Sequence, residues 1–323
     1  MKEFSEYKAY LENEITGIIN LDKEPQNLFN PLKYFLSLGG KRIRPILTIL
    51  GGNIFGVPKE ESIHAALSIE LFHNFSLIHD DIMDAAPFRR GKATVHIKWN
   101  SSVAILCGDV LYVEAYQQLE KYTDSRLPLL LKRFNETAIE VCQGQQMDMD
   151  YESRNDVTEA EYIEMIRLKT SVLLGCALEF GAILAHQSEE TRLRLYEFGV
   201  SLGIAFQIQD DILDLYGDPE LFGKQVGGDI LAHKQTLLFI HARNTSDSTY
   251  QQDFKTLLEM EANPYKIDFA KRLFQENGTL THAKEKMSEY YRLAMENLDK
   301  LENDSFPIEE LHILAKNLMV RMN

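Results

Sequence analysis

Six aspartates dominate the chemistry open to this sequence. They come in two near-copies, "IHDDIMD" at 78–84 and "IQDDILD" at 208–214. On a helix Asp80 and Asp84 stand one turn apart on one face, as do Asp210 and Asp214, with Asp81 and Asp211 beside them. Like charges so placed repel, and burial would add a penalty on the order of several kcal/mol per ion. Acids at a helix C-terminus also oppose the macrodipole, by roughly 0.3–1 kcal/mol each. One such cluster reads as an ordinary solvated helix end. Two clusters, each closing a helix that is apolar on most sides, imply a cation that offsets the charge. Oxygen-only ligands select hard ions, and Mg²⁺ in particular combines one or two carboxylates with phosphate oxygens.

The basic residues gather where they would meet such a phosphate. "LGGKRIRP" at 38–45 sets Lys41, Arg42 and Arg44 after a Gly-Gly turn, where backbone amides and cations can grip an anion. "FRRGK" at 88–92 puts Arg89, Arg90 and Lys92 directly behind the first aspartate cluster. Guanidinium forks suit phosphate, and a metal beside them suits a polyphosphate. His73 lies two turns before Asp80 on the same face, which makes it a further phosphate contact. "RLKTS" offers Lys169 and Thr170, and "FGKQVGGDILAHKQT" offers Lys224 and Lys234. Each lysine alone is weak; after an aspartate cluster they read as phosphate partners.

The elements that must hold these residues are helices. Apolar residues recur at i, i+3 and i+4 almost throughout, with no convincing strand-like alternation, which predicts an all-α chain. Helices are expected over 2–20, 30–38, 42–55, 60–84, 101–122, 127–152, 158–183, 188–216, 229–243, 248–261, 266–278, 281–301 and 308–321. Prolines such as Pro31, Pro45 and Pro128 are expected at helix starts or breaks. "RNTSDSTY" near 243–250 is the clearest loop, and the helices after it are more polar, as outer helices are. No linker-like composition divides the chain, so residues 1–323 read as a single domain. Helices 60–84 and 188–216 belong in its middle, because a helix apolar all round must be buried.

Bulk properties narrow the class. A net charge of −15 excludes a general nucleic-acid binder, whose partner would be repelled. No apolar run approaches the roughly 18 residues that span a bilayer. The charged, amphipathic first segment "MKEFSEYKAYLENEITG" is unlike a secretory signal, and a cytoplasmic location is expected. Cys107, Cys142 and Cys176 are odd in number and far apart, and read as reduced core thiols.

With "GGKRIRP", "LIHDDIMD" followed by "RRG", "GQQMD" at 144–148, "KTS", "QIQDDILD" and "GKQVGGDILAHKQT" in this order, residues 30–240 resemble the trans-isoprenyl diphosphate synthases, or polyprenyl synthetases. The resemblance implies an all-α bundle around a deep central cavity, normally a homodimer. Such an enzyme joins isopentenyl diphosphate head to tail onto an allylic diphosphate. It further implies that Asp80, Asp84 and Asp210 hold about three Mg²⁺ ions on the allylic diphosphate, helped by Asp81, Asp211 and Asp214. Arg89, Lys169, Gln207, Lys224 and Lys234 would face that diphosphate. Lys41, Arg44, His73 and Arg90 would hold isopentenyl diphosphate, with Asp148 in support and Arg321 covering the site.

In the implied chemistry, Thr170 and Gln207 oxygens stabilise the allylic cation, the homoallylic double bond attacks it, and the departing diphosphate takes the proton. Water must be kept out, or it captures the cation. Chain length is also read from the resemblance. Phe75 lies five residues before Asp80, roughly 7 Å along a helix axis. It points about 140° away from Asp80, so spacing alone does not place it in the cavity. Members with an aromatic residue here stop at C20 or C15, which makes Phe75, with Phe72 and the small Ser76, the expected determinants of a short product, C20 ahead of C15. Two other enzymes compete: a class I terpene cyclase, and a helical phosphohydrolase built on the His79-Asp80 dyad with His64 and His73. A catalytically silent partner subunit is a third reading, disfavoured because such subunits lose a cluster that this chain keeps.

Overall fold

In the computed structural model, residues 2–19, 23–217, 226–245, 250–302 and 306–319 are described. They form helices α1 (Lys2–Ile19), α2 (Gln26–Ser37), α3 (Ile43–Asn53) and α4 (Lys59–Met83), then strands β1 (Phe88–Arg89) and β2 (Lys92–Ala93). Helices α5 (Val95–Lys98), α6 (Ser101–Leu119), α7 (Arg126–Tyr151) and α8 (Glu159–Ile166) follow. A π-helical turn, Arg167–Ser171, leads into α9 (Val172–Leu184) and α10 (Glu189–Tyr216). The chain closes with α11 (Gly228–Leu231), α12 (Leu237–Asn244), α13 (Gln251–Glu259), α14 (Pro264–Glu276), α15 (Thr279–Glu302) and α16 (Glu309–Met319). The all-α expectation holds, with one addition: β1 and β2 pair antiparallel through the two-residue turn Arg90-Gly91. Both turn residues have positive φ, 52° and 72°, as that tight hairpin turn requires.

The chain divides into two compact units. The first comprises Met1–Asn135 with Cys176–Leu193. Its centre is α4, packed against α3 and α6. Residues Ala65 to Phe72 of α4 are buried in an unbroken run, so the helix meets protein on every side, as its composition required. Glu60 and Glu61 occupy the first turn of α4, where they complement the helix dipole. Pro31, expected at a helix boundary, instead sits buried inside α2.

The second unit comprises Glu136–Gly175 with Arg194–Asn323. Its core joins Tyr162, Met165 and Ile166 of α8, Ile204, Ile208 and Ile212 of α10, and Leu237 to Ile240 of α12. The helix expected over 158–183 is interrupted by the π turn, and the one over 229–243 is two pieces. Cys107 and Cys176 are buried as expected, but Cys142 lies on an exposed face of α7, outside the core. Among the described residues no helix is long and apolar enough to cross a membrane.

Candidate active site

In the first unit the cationic cluster is built around a buried acid. Arg42, at the head of α3, adopts a left-handed φ of 55°. Its side chain turns inward, donating to Glu12 at 2.9 Å, to the carbonyl of Leu36 at 3.3 Å and to the buried Glu70. Asn74 also donates to Glu70, at 2.9 Å. Arg42 is therefore structural, whereas Lys41 beside it is exposed. Arg44 lies 3.2 Å from the Nε2 atom of His73. Burial lowers the Arg44 pKa to about 10 against the pull of Glu70. Burial, then Arg44 and Arg90, hold His73 well below its ordinary range, so its ring is neutral. From the hairpin, Arg90 donates to the carbonyl of Gly39, which brings "RRG" onto the "GGKR" turn. Arg44, His73 and Arg90 thus lie together, a grouping suited to an anion, with exposed Lys41 on the adjoining turn.

At the end of α4, Asp84 is exposed and Asp80 half-buried, while Asp81 is only 1% exposed. Arg89 grips Asp81 Oδ1 with two nitrogens, at 2.8 and 2.7 Å. Burial still pushes the Asp81 carboxyl above its ordinary value, Arg89 opposing. Its other oxygen, Oδ2, is buried without a hydrogen-bond partner. An all-oxygen cluster with an orphaned carboxylate oxygen fits a hard divalent cation. Among the described residues, no group of three or more His, Cys, Asp or Glu side chains is gathered so as to hold a metal by itself.

The second unit carries a cavity of about 110 Å³ lined by Asp148, Tyr162, Lys169, Thr170, Gln207, Asp211, Asp229 and Lys234, among others. Lys169 and Thr170 lie on the π turn. Gly144 makes that turn possible, since a Cβ there would stand 2.2 Å from the Lys169 backbone nitrogen. Gly203 does the same beneath Ser171, where a Cβ would meet Ser171 at 2.8 Å. Such π turns are frequent at functional sites. Lys169 pairs with Asp148 at 2.5 Å. Gln207 donates from Nε2 to Asp211 Oδ1 at 3.0 Å, and Thr170 donates to Gln207 Oε1 at 3.4 Å. Asp214, one turn beyond Asp210, accepts from the Asp229 amide at 3.1 Å, which ties "GGD" to the aspartate segment.

Sequence reasoning missed Tyr162. A capping box starts α8: Thr158 accepts from the Glu161 amide at 3.2 Å, and Glu161 accepts from the Thr158 amide at 2.8 Å. The next residue, Tyr162, is 1% exposed and donates to Asp211 Oδ2. Burial drives the Asp211 carboxyl well above its ordinary range, Asp229 adds to this, and the bonds from Tyr162 and Gln207 oppose it. The signal available was a lone tyrosine on an apolar helix, ordinary until its partner 49 residues away is known. Asp229, Gln235 and Thr236 were likewise unremarked as lining groups. Of the six expected metal carboxylates, Asp81 and Asp211 have both or one oxygen committed to protein donors in this way: Asp81 one, Asp211 both.

Backbone strain marks the same segments. Among the described residues, five non-glycine residues, Arg42, Ala85, Arg90, His186 and His233, take φ of 48–55°, which costs roughly 1–2 kcal/mol each. All but His186 lie beside Arg44, Asp84 or Lys234 or in the hairpin turn, and such strain gathers at functional sites. Lys224 and Arg321 lie outside the described residues.

Behind the first aspartate segment is an aromatic cluster. Phe75 stacks on Tyr112 with ring centroids 5.0 Å apart and touches Phe72 at 5.4 Å, while Phe72 meets Phe134 edge-on at 5.3 Å. The Ser76 hydroxyl donates back to the His73 carbonyl at 2.9 Å. The histidines of the phosphohydrolase reading are engaged elsewhere. His79 lies against Gly108 and bonds the Ile105 carbonyl at 3.1 Å, and His64 bonds Gln118 at 2.9 Å.

Comparisons with known proteins show the family. The profile described as polyprenyl synthetase matches residues 25–275. A geranylgeranyl pyrophosphate synthase of Geoglobus acetivorans is 36% identical over 306 residues, covering 94% of this chain and 93% of that protein. A geranylgeranyl diphosphate synthase of Methanosarcina mazei is 39% identical over 281 residues, covering 86% and 85%. A crystal structure of a geranylgeranyl pyrophosphate synthase superposes with a TM-score of 0.91 at 39% identity, covering 99% of this chain and 98% of that one.

Proposed function

We propose, proceeding from the fact that this chain belongs to the polyprenyl synthetase family, that it joins isopentenyl diphosphate head to tail onto an allylic diphosphate and releases the C20 diphosphate. The observation that carries this reading is the second unit's cavity, where Lys169 and Lys234 accompany carboxylates and the neutral oxygens of Thr170 and Gln207. Lysines suit a diphosphate; oxygen dipoles suit a carbocation. The names borne by the two relatives support C20.

In this reading Lys41, Arg44, His73 and Arg90 hold isopentenyl diphosphate, the neutral ring of His73 adding a hydrogen bond. Asp80, Asp84, Asp210 and Asp214 hold Mg²⁺, while Asp81 and Asp211 support them from their bonds to Arg89, Tyr162 and Gln207. Magnesium, when bound, neutralises the diphosphate and so makes it a better leaving group. Lys169, Lys224, Lys234 and Arg89 take the charge that grows on the leaving oxygens. Thr170 Oγ1 and Gln207 Oε1 direct lone pairs at the allylic carbon as its C–O bond breaks. The homoallylic double bond of isopentenyl diphosphate attacks that carbon. The proton then lost from the new chain passes to the departing diphosphate.

We also take residues 1–323 as one such domain and the working form as a homodimer. Ile105, Leu106 and Val113 of α6, each 46–56% exposed, offer apolar surface for the second copy. Incubation with isopentenyl diphosphate and each short allylic diphosphate, with product sizing, tests the function. C20 diphosphate is expected, and hydrocarbon formed from the allylic substrate alone would mean a cyclase instead. Phe75→Ala, alone or with Phe72→Ala, is expected to shift products beyond C20; an unchanged distribution removes Phe75 from the determinants.

A further inference from the structure

The geometry points to Tyr162 as a positioning residue that sets which end of the Gln207 carboxamide faces the reacting carbon. The inference deepens the proposed function and rests on its assignment of Thr170 and Gln207. A carboxamide has two ends of nearly equal size and opposite polarity. Its oxygen stabilises a neighbouring cation, and its NH₂ group destabilises one. Some other group must therefore fix its orientation, and cation chemistry depends on that choice.

The fixing group is Asp211, one helical turn beyond Gln207 on α10. Its Oδ1 accepts from Gln207 Nε2 at 3.0 Å, which pins the nitrogen end and leaves Oε1 beside Thr170 Oγ1 at 3.4 Å. A carboxylate performs this only if its own rotation is stopped. Tyr162 stops it by donating to Oδ2. The phenol is 1% exposed and is placed by the capping box at the start of α8. Tyr162, Asp211, Gln207 and Thr170 then form one chain of bonds that converges on Asp211, Tyr162 donating to it from one side and Gln207, itself accepting from Thr170, from the other. Without the phenol, Asp211 can rotate, and both orientations of the Gln207 amide become populated. The inverted one presents NH₂ to the carbon that must become positive. The charge of the allylic diphosphate falls chiefly to Lys169 and Lys234 of the cavity lining, so its binding should change far less than turnover.

The test is a double-mutant cycle on the full chain with Tyr162→Phe, Gln207→Leu and both together. Tyr162→Phe should lower kcat for condensation about tenfold to a hundredfold, the range for residues that orient a functional ligand from behind, with KM for the allylic diphosphate within about twofold. Binding of a non-reactive allylic thiolodiphosphate with Mg²⁺ should weaken by less than about twofold, whereas a general loosening of the cavity would weaken it as much as it lowers kcat. Gln207→Leu with and without Tyr162→Phe should have equal kcat, because Tyr162 acts only through the amide. Losses that multiply in the double variant, wild-type kcat in Tyr162→Phe, or analogue binding weakened as much as kcat would each overturn the assignment. A wild-type chain that makes no prenyl diphosphate would instead overturn the proposed function beneath it.

Discussion

Asp81 and Asp211 hold the same place in two segments that differ only at His79/Gln209 and Met83/Leu213, and both are buried, yet they are anchored by different chemistry. Asp81 meets a guanidinium from a surface hairpin. Asp211 meets a phenol and a carboxamide from the interior. A shared motif thus fixes where carboxylates stand along a helix, while the neighbours decide how much negative charge survives there. Around Asp211 burial and Asp229 favour the protonated carboxyl, against the bonds from Tyr162 and Gln207, and Asp148 and Asp229 line the same cavity beside Lys169 and Lys234. In the first unit cations outnumber the acid: Arg44 and Arg90 both feel one buried carboxylate, Glu70, which is already taken by Arg42. That region attracts a bare anion. A reaction needing one diphosphate held tightly without metal and another activated by metal requires such an asymmetry.

The comparison breaks most visibly at the carboxylates assigned to the metal. Asp210→Asn should reduce condensation on the order of 10³-fold, as removal of a key electrostatic group does, measured as initial turnover at saturating Mg²⁺. A loss below about tenfold would mean that the two segments are not metal clusters of comparable weight. The two anchors should separate next, in stability. Arg89→Met strands a carboxylate whose side chain is 2% exposed. Because Arg89 is partly open to solvent, we expect a loss of about 2 kcal/mol, below the roughly 3–5 kcal/mol of fully buried pairs. Tyr162→Phe removes one hydrogen bond from an uncharged donor and should lose about 1 kcal/mol. Calorimetric melting of both variants checks the order, and equal losses would erase the distinction drawn here.

A smaller effect sharpens the anion side. His73 is kept neutral in the fold, well below its ordinary 6.5, by burial and then by Arg44 and Arg90. As pH falls through that value the unfolded chain takes up a proton that the folded chain refuses. Stability therefore declines from about pH 6.5 downward, by at most about 1.4 kcal/mol per pH unit. His73→Gln should flatten that part of the profile, and melts between about pH 7.5 and 5.5 would reveal it. An unchanged slope would show that His73 gains no proton in the unfolded chain that the fold withholds.

Much of this architecture was legible because helix periodicity and burial obey the same geometry. The central helices expected over 60–84 and 188–216 are Lys59–Met83 and Glu189–Tyr216. What escaped depends on contacts between distant segments. The helix expected over 158–183 gave no local sign of its π turn, because the cause lies at Gly144 and Gly203 on other helices. Arg42 looked identical in kind to Arg44 until Glu12 and Glu70 turned it inward. The hairpin at 88–93 has strands of two residues each, too short to show alternation. Tyr162 was hidden for the same reason as Arg42: its role is defined by a partner, not by its neighbours in sequence.

The central claim, that an allylic diphosphate is ionised here only for transfer to a second prenyl unit, is tested most directly by counting inorganic pyrophosphate released from the allylic substrate with and without isopentenyl diphosphate. One pyrophosphate per new carbon–carbon bond is expected in its presence, with negligible release in its absence. Release at an equal rate without isopentenyl diphosphate would contradict the account, because the cation would then have another fate.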